Sequence, residues 1–115
     1  MNFKHIYKIC TSAEWSQAKK NGIFTGSKKD ILDGFIHLSN KNQISGTFKK
    51  YYLNQKDLIL LKINALNLRS LVYEQSSDGN IFPHLYEALD LSNVIEEYKI
   101  NLNENGTHKI PEDLN

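Results

Sequence analysis

The sequence has few of the residues that build cross-linked or membrane-spanning proteins. Its 115 residues include one cysteine and two prolines. Cys10 therefore has no partner for an internal disulfide, and a metal site built on several cysteines is excluded. The longest apolar run, at residues 58–61, is far shorter than the ~20 residues that span a bilayer. The first residues lack the apolar core of a signal peptide, so we expect a cytoplasmic protein with no membrane partner.

The chain also lacks a strong charge of either sign. Fourteen lysine and arginine residues stand against thirteen aspartate and glutamate residues, which leaves a formal net charge of +1. This balance gives no strong nucleic-acid signal. Internal repeats, a Gly-x-Gly-x-x-Gly fingerprint and a Walker loop are absent too, so neither a Rossmann nor a P-loop site is predicted. The length suits one domain, which we place over residues 1–115.

Two helices are predicted in the first half of the chain. Thr11 and Glu14 have the spacing of a capping box, which predicts a helix that begins at Thr11 and ends at Asn21. Ser39 or Asn40 can cap the second helix, whose apolar residues recur at helical spacing. Helices confined to one half of a chain favour an α+β fold over an alternating α/β fold.

Most of the remaining chain has strand patterns. The predicted strands are Phe3–Cys10, Phe35–Leu38, Asp57–Asn64, Leu71–Glu74 and Val94–Leu102. Residues 23–32 are predicted to be a loop, His84 to lie in a loop fixed by Pro83, and residues 103–115 to form a turn and a tail. The fold class is therefore α+β, with small bent sheets that are mixed or antiparallel.

Two histidines lie in unusual contexts. His37 is the titratable side chain of an apolar strand pattern that closes with Ser39, and His84 follows Pro83 in an aromatic segment. A buried imidazole needs hydrogen-bond partners, so we expect both to open into one cleft where strands end. They could bind a polar ligand, transfer protons, or serve only as satisfied core histidines. The spacing does not favour a metal site, and none is predicted.

These contexts select a set of candidate site residues. His37 and His84 are the candidates for catalysis. Lys8 lies near the end of the first strand, and Gln43 lies one turn into the second helix on the side of His37. The candidates for ligand binding are Lys8, Ser39, Gln43, Glu74 and Tyr86.

Four segments, in this order and spacing, resemble a known family. They are Ile6–Ile9 with Trp15, Asp33–Ser39 with Gln43, Leu58–Ile63, and Phe82–Tyr86 with Leu89. Together they are similar to the domain-of-unknown-function 952 family, over a core of about residues 6–102. The resemblance implies an ADP-ribosyltransferase-like fold, in which small sheets surround an NAD cleft, near the group that contains RNA 2′-phosphotransferase.

The resemblance carries over to individual positions. His37 and Ser39 match the family motif Gly-Phe-Ile-His-x-Ser, and His84 and Tyr86 match the motif Phe-Pro-His-x-Tyr. Two further positions match in place but differ in residue type from many members. Lys8 stands where some members have histidine, and Tyr73-Glu74 stands where Trp-Glu is usual.

Glu87 departs from the pattern, because glycine is usual at its position. The sequence and the resemblance together favour a transferase that handles NAD or another nucleotide, with a two-histidine cleft and a small nucleotide-like ligand as partner. The alternatives are a non-catalytic domain that binds a small anion or nucleotide, and an accessory protein with structural histidines. The oligomeric state has no signature in the sequence.

Overall fold

The computed structural model describes residues 4–112 and residue 114. Its strands are β1 (His5–Thr11), β2 (Ile23–Phe24), β3 (Ile36–His37), β4 (Leu58–Asn64), β5 (Leu71–Gln75), β6 (Ile81–Leu85), β7 (Leu89–Asp90) and β8 (Val94–Ile100). Its α-helices are α1 (Ser12–Asn21), α2 (Lys28–Asp33) and α3 (Ile44–Tyr51), and short 3-10 turns span Lys41–Gln43 and Leu91–Asn93. Within this part of the chain, no helix is long and apolar enough to cross a membrane.

The strands form three small sheets with the orders β1-β4-β8, β2-β7 and β3-β6-β5. Every neighbouring pair is antiparallel. The predicted α+β class is therefore confirmed. The first predicted strand is present from His5 onward, and its expected first residue, Phe3, lies outside the described residues.

Strand β4 lies at the centre of the molecule because both of its faces are covered. Leu58 and Leu60 belong to a hydrophobic cluster with Phe48 of α3, whereas Ile59 and Leu61 belong to a second cluster that includes residues of α1. Successive side chains of a strand point to opposite faces, so the continuous apolar run serves both clusters. This explains why β4 gave the strongest strand pattern in the sequence.

The first predicted helix is confirmed. The Thr11 hydroxyl accepts a hydrogen bond from the Glu14 amide, and the Glu14 carboxylate accepts one from the Thr11 amide. Trp15 and Ala18 are buried on the inner face of α1. Gly22 ends the helix in the left-handed conformation, with φ of 78°.

The prediction that residues 23–32 form a loop is wrong. They contain β2, which pairs with the distant β7, and most of α2. The caps of α2 are local: Ser27 and Asp30 form a capping box, and Gly34 ends the helix with φ of 86°. The helix predicted after Asn40 is present as a 3-10 turn that continues into α3. The first half therefore holds three α-helices, not two.

The prediction that His84 lies in a proline-fixed loop is also wrong. His84 is inside β6, between β3 and β5, and is only 7% exposed. A proline is tolerated at position 83 of this central strand because the N–H that it lacks would point towards β3. The Pro83 carbonyl accepts the Leu38 amide at 3.1 Å. A strand residue directs its C=O and N–H to the same neighbour, so the missing donor faces the end of the short β3.

The chain after β8 is packed against the body of the molecule. His108 Nε2 donates to the Gln55 carbonyl at 2.7 Å, and the ring lies against Phe48. Leu114 is buried in the same cluster as Phe48. The predicted turn after β8 is present, and His108 and Leu114 of the predicted tail are buried. Two positions of that tail, 113 and 115, lie outside the described residues.

Candidate functional site

The candidate site is a cavity of about 360 Å³ between the β1–β3 region, α2 and α3. Its wall includes four of the seven residues predicted as site residues, namely Lys8, His37, Ser39 and His84. The volume lies in the usual range for small-molecule sites, which is about 300–1,000 Å³. The structure thus gathers the centre of the predicted site around one cavity.

Strands β3 and β6 bring the two histidines together. His37 and His84 are directly opposite each other in the antiparallel pair, and their ring centroids are 5.6 Å apart. Directly opposed residues project to the same face of a sheet. The ring of Phe35 lies 4.6 Å from that of His37 and 4.1 Å from that of His84. The expectation that both imidazoles share one cleft is confirmed.

One buried carboxylate organises the floor of the cleft. Asp30 Oδ2 accepts from Lys8 Nζ at 2.7 Å and from the Ser27 amide at 2.8 Å. Asp30 Oδ1 accepts from the His37 amide at 3.1 Å and lies 2.6 Å from His37 Nδ1. Lys8 Nζ also donates to the His37 carbonyl at 3.0 Å. Asp30 therefore connects β1, α2 and β3 at a single point.

The environment keeps Asp30 ionised. Burial by itself raises the pKa of this carboxyl group, but the hydrogen bond from His37 and the charge of Lys8 outweigh burial. Together they hold the pKa of Asp30 well below its usual range. A buried negative charge is thus matched by the buried ammonium of Lys8.

His37 is held by two carboxylates. Nδ1 lies 2.6 Å from Asp30 Oδ1, and Nε2 lies 3.0 Å from Asp33 Oδ2. Carboxylates only accept hydrogen bonds, so Nδ1 carries a proton towards Asp30, and Nε2 can donate to Asp33 only when the ring is protonated. The side chain of His37 is 29% exposed at the cavity. Both ring nitrogens of His37 thus lie beside carboxylate oxygens.

His84 has a different arrangement. Its Nδ1 lies 2.8 Å from Glu74 Oε1, and the Tyr86 hydroxyl donates to the same oxygen at 2.5 Å. Nδ1 therefore carries the proton, and in the neutral ring Nε2 holds a lone pair. Nε2 has no hydrogen-bond partner among the residues that the structure describes. The two histidines thus differ, because His37 has a carboxylate beside each ring nitrogen and His84 has one beside Nδ1 alone.

Glu74 and Tyr86 do not line the cavity. Glu74 contacts His84, and Tyr86 donates a hydrogen bond to Glu74. The hydrogen bonds from Tyr86 and then His84 lower the pKa of Glu74. The bond to Glu74 in turn raises the pKa of Tyr86. At neutral pH the histidine therefore faces an ionised carboxylate, which fixes its tautomer.

The other two predicted ligand residues have structural contacts. The Ser39 hydroxyl lies in the cavity wall, 3.2 Å from the hydroxyl of Thr47. Gln43 lies outside the wall, with both polar atoms of its side chain in use. Its Oε1 accepts from the Asn40 amide at 2.9 Å, and its Nε2 donates to the Ile81 carbonyl at 2.6 Å. Gln43 thus links α3 to β6 instead of facing the cavity.

The sequence pattern of the family described as "Protein of unknown function (DUF952)" matches residues 9–97. This chain belongs to the DUF952 family. It is similar to protein CC0527 from Caulobacter crescentus, with 42% sequence identity over 91% of this chain. The crystal structure of that protein is covered over 93% of its length at a TM-score of 0.86. Its solution NMR structure is covered over 91% at a TM-score of 0.82. No curated protein matches the chain.

Several residues that build the site of this DUF952 protein were missed in the sequence. The sequence predicts that Asp30 lies in a loop, that Asp33 follows directly after this loop, and that Phe35 begins a strand. The spacing of Ser27 and Asp30 does fit a capping box, which was the local signal for α2. No local sequence pattern predicts the contact between Asp30 and Lys8, because that contact joins β1 to α2.

Glu87 is where the DUF952 resemblance has glycine, yet it does not enter the cavity wall. Its carboxylate accepts from the amides of Arg69 and Ser70 and so fixes the start of β5. Across residues 4–112 and 114, no group of three histidine, cysteine, aspartate or glutamate side chains is arranged to hold a metal ion.

Proposed function

We propose that the cleft binds a nucleotide-like ligand and that the protein is a transferase of an ADP-ribosyl or phosphoryl group. The observation that carries this proposal is the state of His84. Its Nδ1 is bound to an ionised Glu74, its Nε2 has no partner in the described part of the chain, and it lines the cavity. This is the usual arrangement of a general base or acid.

The proposed chemistry needs one proton transfer at His84. Nε2 takes the proton of an attacking hydroxyl or water while the oxygen forms its bond to the transferred group. The bond from that group to its leaving group breaks, and the electron pair leaves with the departing fragment. Glu74 stabilises the imidazolium that forms, because its carboxylate lies 2.8 Å from Nδ1.

The rest of the cavity wall suits a phosphorylated, ring-containing ligand. Lys28 and Lys29, in the first turn of α2, lie in the wall and supply positive charge for a phosphate. Tyr51, Tyr52 and Phe82 lie in the wall as well, and aromatic rings are suitable surfaces for stacking a base. Because the resemblance implies an ADP-ribosyltransferase-like fold near the RNA 2′-phosphotransferase group, NAD is the first ligand to test.

A non-catalytic domain that binds a small anion or nucleotide is the second candidate. The observation that favours it is the state of His37, whose two ring nitrogens are both bound by carboxylates. Only one of the two imidazoles then has a free nitrogen for proton transfer. A wall that contains Lys28 and Lys29 beside this fixed imidazole is sufficient for binding without turnover.

A thermal-shift screen with NAD, ADP-ribose, AMP and inorganic phosphate tests both candidates. Binding to the folded state adds RT ln(1 + [L]/Kd) to stability, or roughly 2.7 kcal/mol at a hundredfold excess over Kd. Purified protein is then incubated with any nucleotide that binds, and the products are separated to detect cleavage. The transferase proposal predicts cleavage by the wild type and its loss in His84→Gln.

His5→Gln is the matched control, because His5 does not belong to the cavity wall. It should keep both binding and cleavage. Binding without cleavage in the wild type would favour the non-catalytic domain. The absence of any shift across the screen would contradict both candidates and favour an accessory protein with structural histidines.

A further inference from the structure

The carboxylate of Asp33 lies beside two nitrogen-bearing side chains of the cavity wall. Asp33 Oδ2 lies 3.0 Å from His37 Nε2 and 3.1 Å from Lys29 Nζ. Both His37 and Lys29 line the cavity, whereas Asp33 itself does not. Two donors thus converge on an anionic oxygen at the edge of a cavity that is large enough for a ligand.

We propose that His37 and Lys29 form an oxyanion subsite and that Asp33 fills it in the ligand-free protein, to be displaced by a phosphate oxygen of the ligand. This inference rests on the proposed function, because it names the part of the ligand that reaches this end of the cleft. The side chain of Asp33 therefore competes with the phosphate oxygen for that position.

The two carboxylates that hold His37 differ in how easily they are displaced. The side chain of Asp30 is 1% exposed and is bound by Lys8 and by the Ser27 amide, so it stays in place. The side chain of Asp33 is 38% exposed at the last residue of α2. Partly exposed ion pairs contribute little to stability, so replacing this one by a ligand costs little.

The chemistry of the two donors selects the incoming group. With Nδ1 bound to Asp30, Nε2 of His37 donates an N–H when the ring is protonated, the form that an anion at this position favours, and Lys29 offers only N–H groups. Such a pair binds an oxyanion and rejects another cation. The hydrogen bond from Lys29, with the charges of Lys29 and His37, also lowers the pKa of Asp33, in agreement with an oxygen that is negative in this position.

The test measures binding of inorganic phosphate and of AMP to three proteins, by calorimetry and by NMR. They are the wild type, Asp33→Asn and Glu96→Gln. Glu96 is an exposed acid on β8 outside the cavity, so its variant removes the same charge elsewhere. We expect Asp33→Asn to bind phosphate about two- to tenfold more tightly than the wild type, the range expected for removal of two partly exposed ion pairs. The affinity of Glu96→Gln should be unchanged.

A second measurement reports displacement directly. The carboxyl ¹³C signal of Asp33 in the wild type should shift during a phosphate titration, together with the His37 ring nitrogens. An Asp33 signal that stays constant at saturation would overturn the subsite, as would an Asp33→Asn variant that binds no more tightly than Glu96→Gln. Failure of phosphate to bind any of the three proteins would overturn it as well.

The two proposals fail separately. Phosphate binding that displaces Asp33, with no nucleotide binding in the screen, would keep the subsite and contradict the nucleotide transferase. Nucleotide binding and cleavage with an unmoved Asp33 would keep the proposed function and contradict the subsite.

Discussion

The ammonium of Lys8 lies 2.7 Å from Oδ2 of Asp30, and both side chains are almost completely buried. Lys8 belongs to the edge strand β1, and Asp30 to the short helix α2. The same carboxylate also caps α2 and binds His37, so one residue connects β1, α2 and β3 at the cleft. Loss of this carboxylate leaves a buried ammonium without its counter-charge, which is the costly case for an ion pair.

Asp30→Asn should therefore lower the free energy of unfolding by about 3–5 kcal/mol, the usual cost of breaking a buried ion pair from one side. Urea denaturation followed by circular dichroism measures it. Asp33→Asn is the matched control in the same helix, because the contacts of Asp33 are partly exposed. Its cost should stay below about 1 kcal/mol. Equal costs for the two variants would show that Asp30 has no special role.

The pH dependence of stability should depend on the same group. Since folding lowers the pKa of Asp30, its contribution is fully present above the unfolded-state pKa of ~3.9 and is lost as pH falls below that value. The difference in stability between wild type and Asp30→Asn should then shrink by about 1.4 kcal/mol for each pH unit below ~3.9. Urea titrations from pH 7 to pH 3 test this, and a difference that is constant down to pH 3 would contradict it.

His84→Ala should cost more stability than its position beside Pro83 indicated in the sequence. The ring is buried in β6, stacks on Phe35 and is bound to Glu74. We expect a loss of about 1–3 kcal/mol in the free energy of unfolding, as for other buried polar groups whose removal leaves a partner without its hydrogen bond. His84→Gln, which keeps a polar side chain, should lose less. A cost within ~0.5 kcal/mol for His84→Ala would instead match an exposed loop residue.

Tyr86→Phe should change the titration of Glu74. The Tyr86 hydroxyl is the largest influence that lowers the pKa of this carboxyl group, so its removal should raise the pKa of Glu74 towards the ordinary value for glutamate. A ¹³C NMR titration of the Glu74 carboxyl group measures the change. Tyr51→Phe removes a hydroxyl from the cavity wall, away from Glu74, and should leave that titration unchanged. An identical curve in both variants would show that the hydrogen bond has little weight in solution.

Two glycines should respond to alanine in opposite directions. Gly106 has φ of 88°, and an added Cβ would lie 2.0 Å from Asn54 Oδ1, so Gly106→Ala should destabilise by more than ~1 kcal/mol. Gly46 lies within α3 with no heavy atom within 4 Å of an added Cβ. Gly46→Ala should therefore stabilise by up to ~1 kcal/mol through helix propensity. Melting curves show whether each variant is stabilised or destabilised. A stabilised Gly106→Ala would contradict the predicted clash with Asn54.

Local patterns were sufficient for the elements whose signals are local. The capping box of Thr11 and Glu14 predicted α1, and the apolar run of β4 predicted a strand covered on both faces. The two-residue strand β2 had no such signal, because it depends on pairing with β7 far along the chain. His84 was misplaced because a proline usually marks a loop, and only the short β3 makes Pro83 acceptable in a central strand.

The sequence by itself determined the α+β class, the two histidine motifs and the expectation that their side chains share a cleft. Residue types and spacing carry that information, since a buried imidazole must find partners. The tertiary structure alone decided which groups surround each histidine. Both ring nitrogens of His37 lie beside the carboxylates of Asp30 and Asp33, whereas only Nδ1 of His84 contacts a carboxylate, that of Glu74. The physical reason is that protonation and hydrogen bonding depend on distances of a few ångströms between side chains, which strand pairing and helix packing set and linear spacing does not.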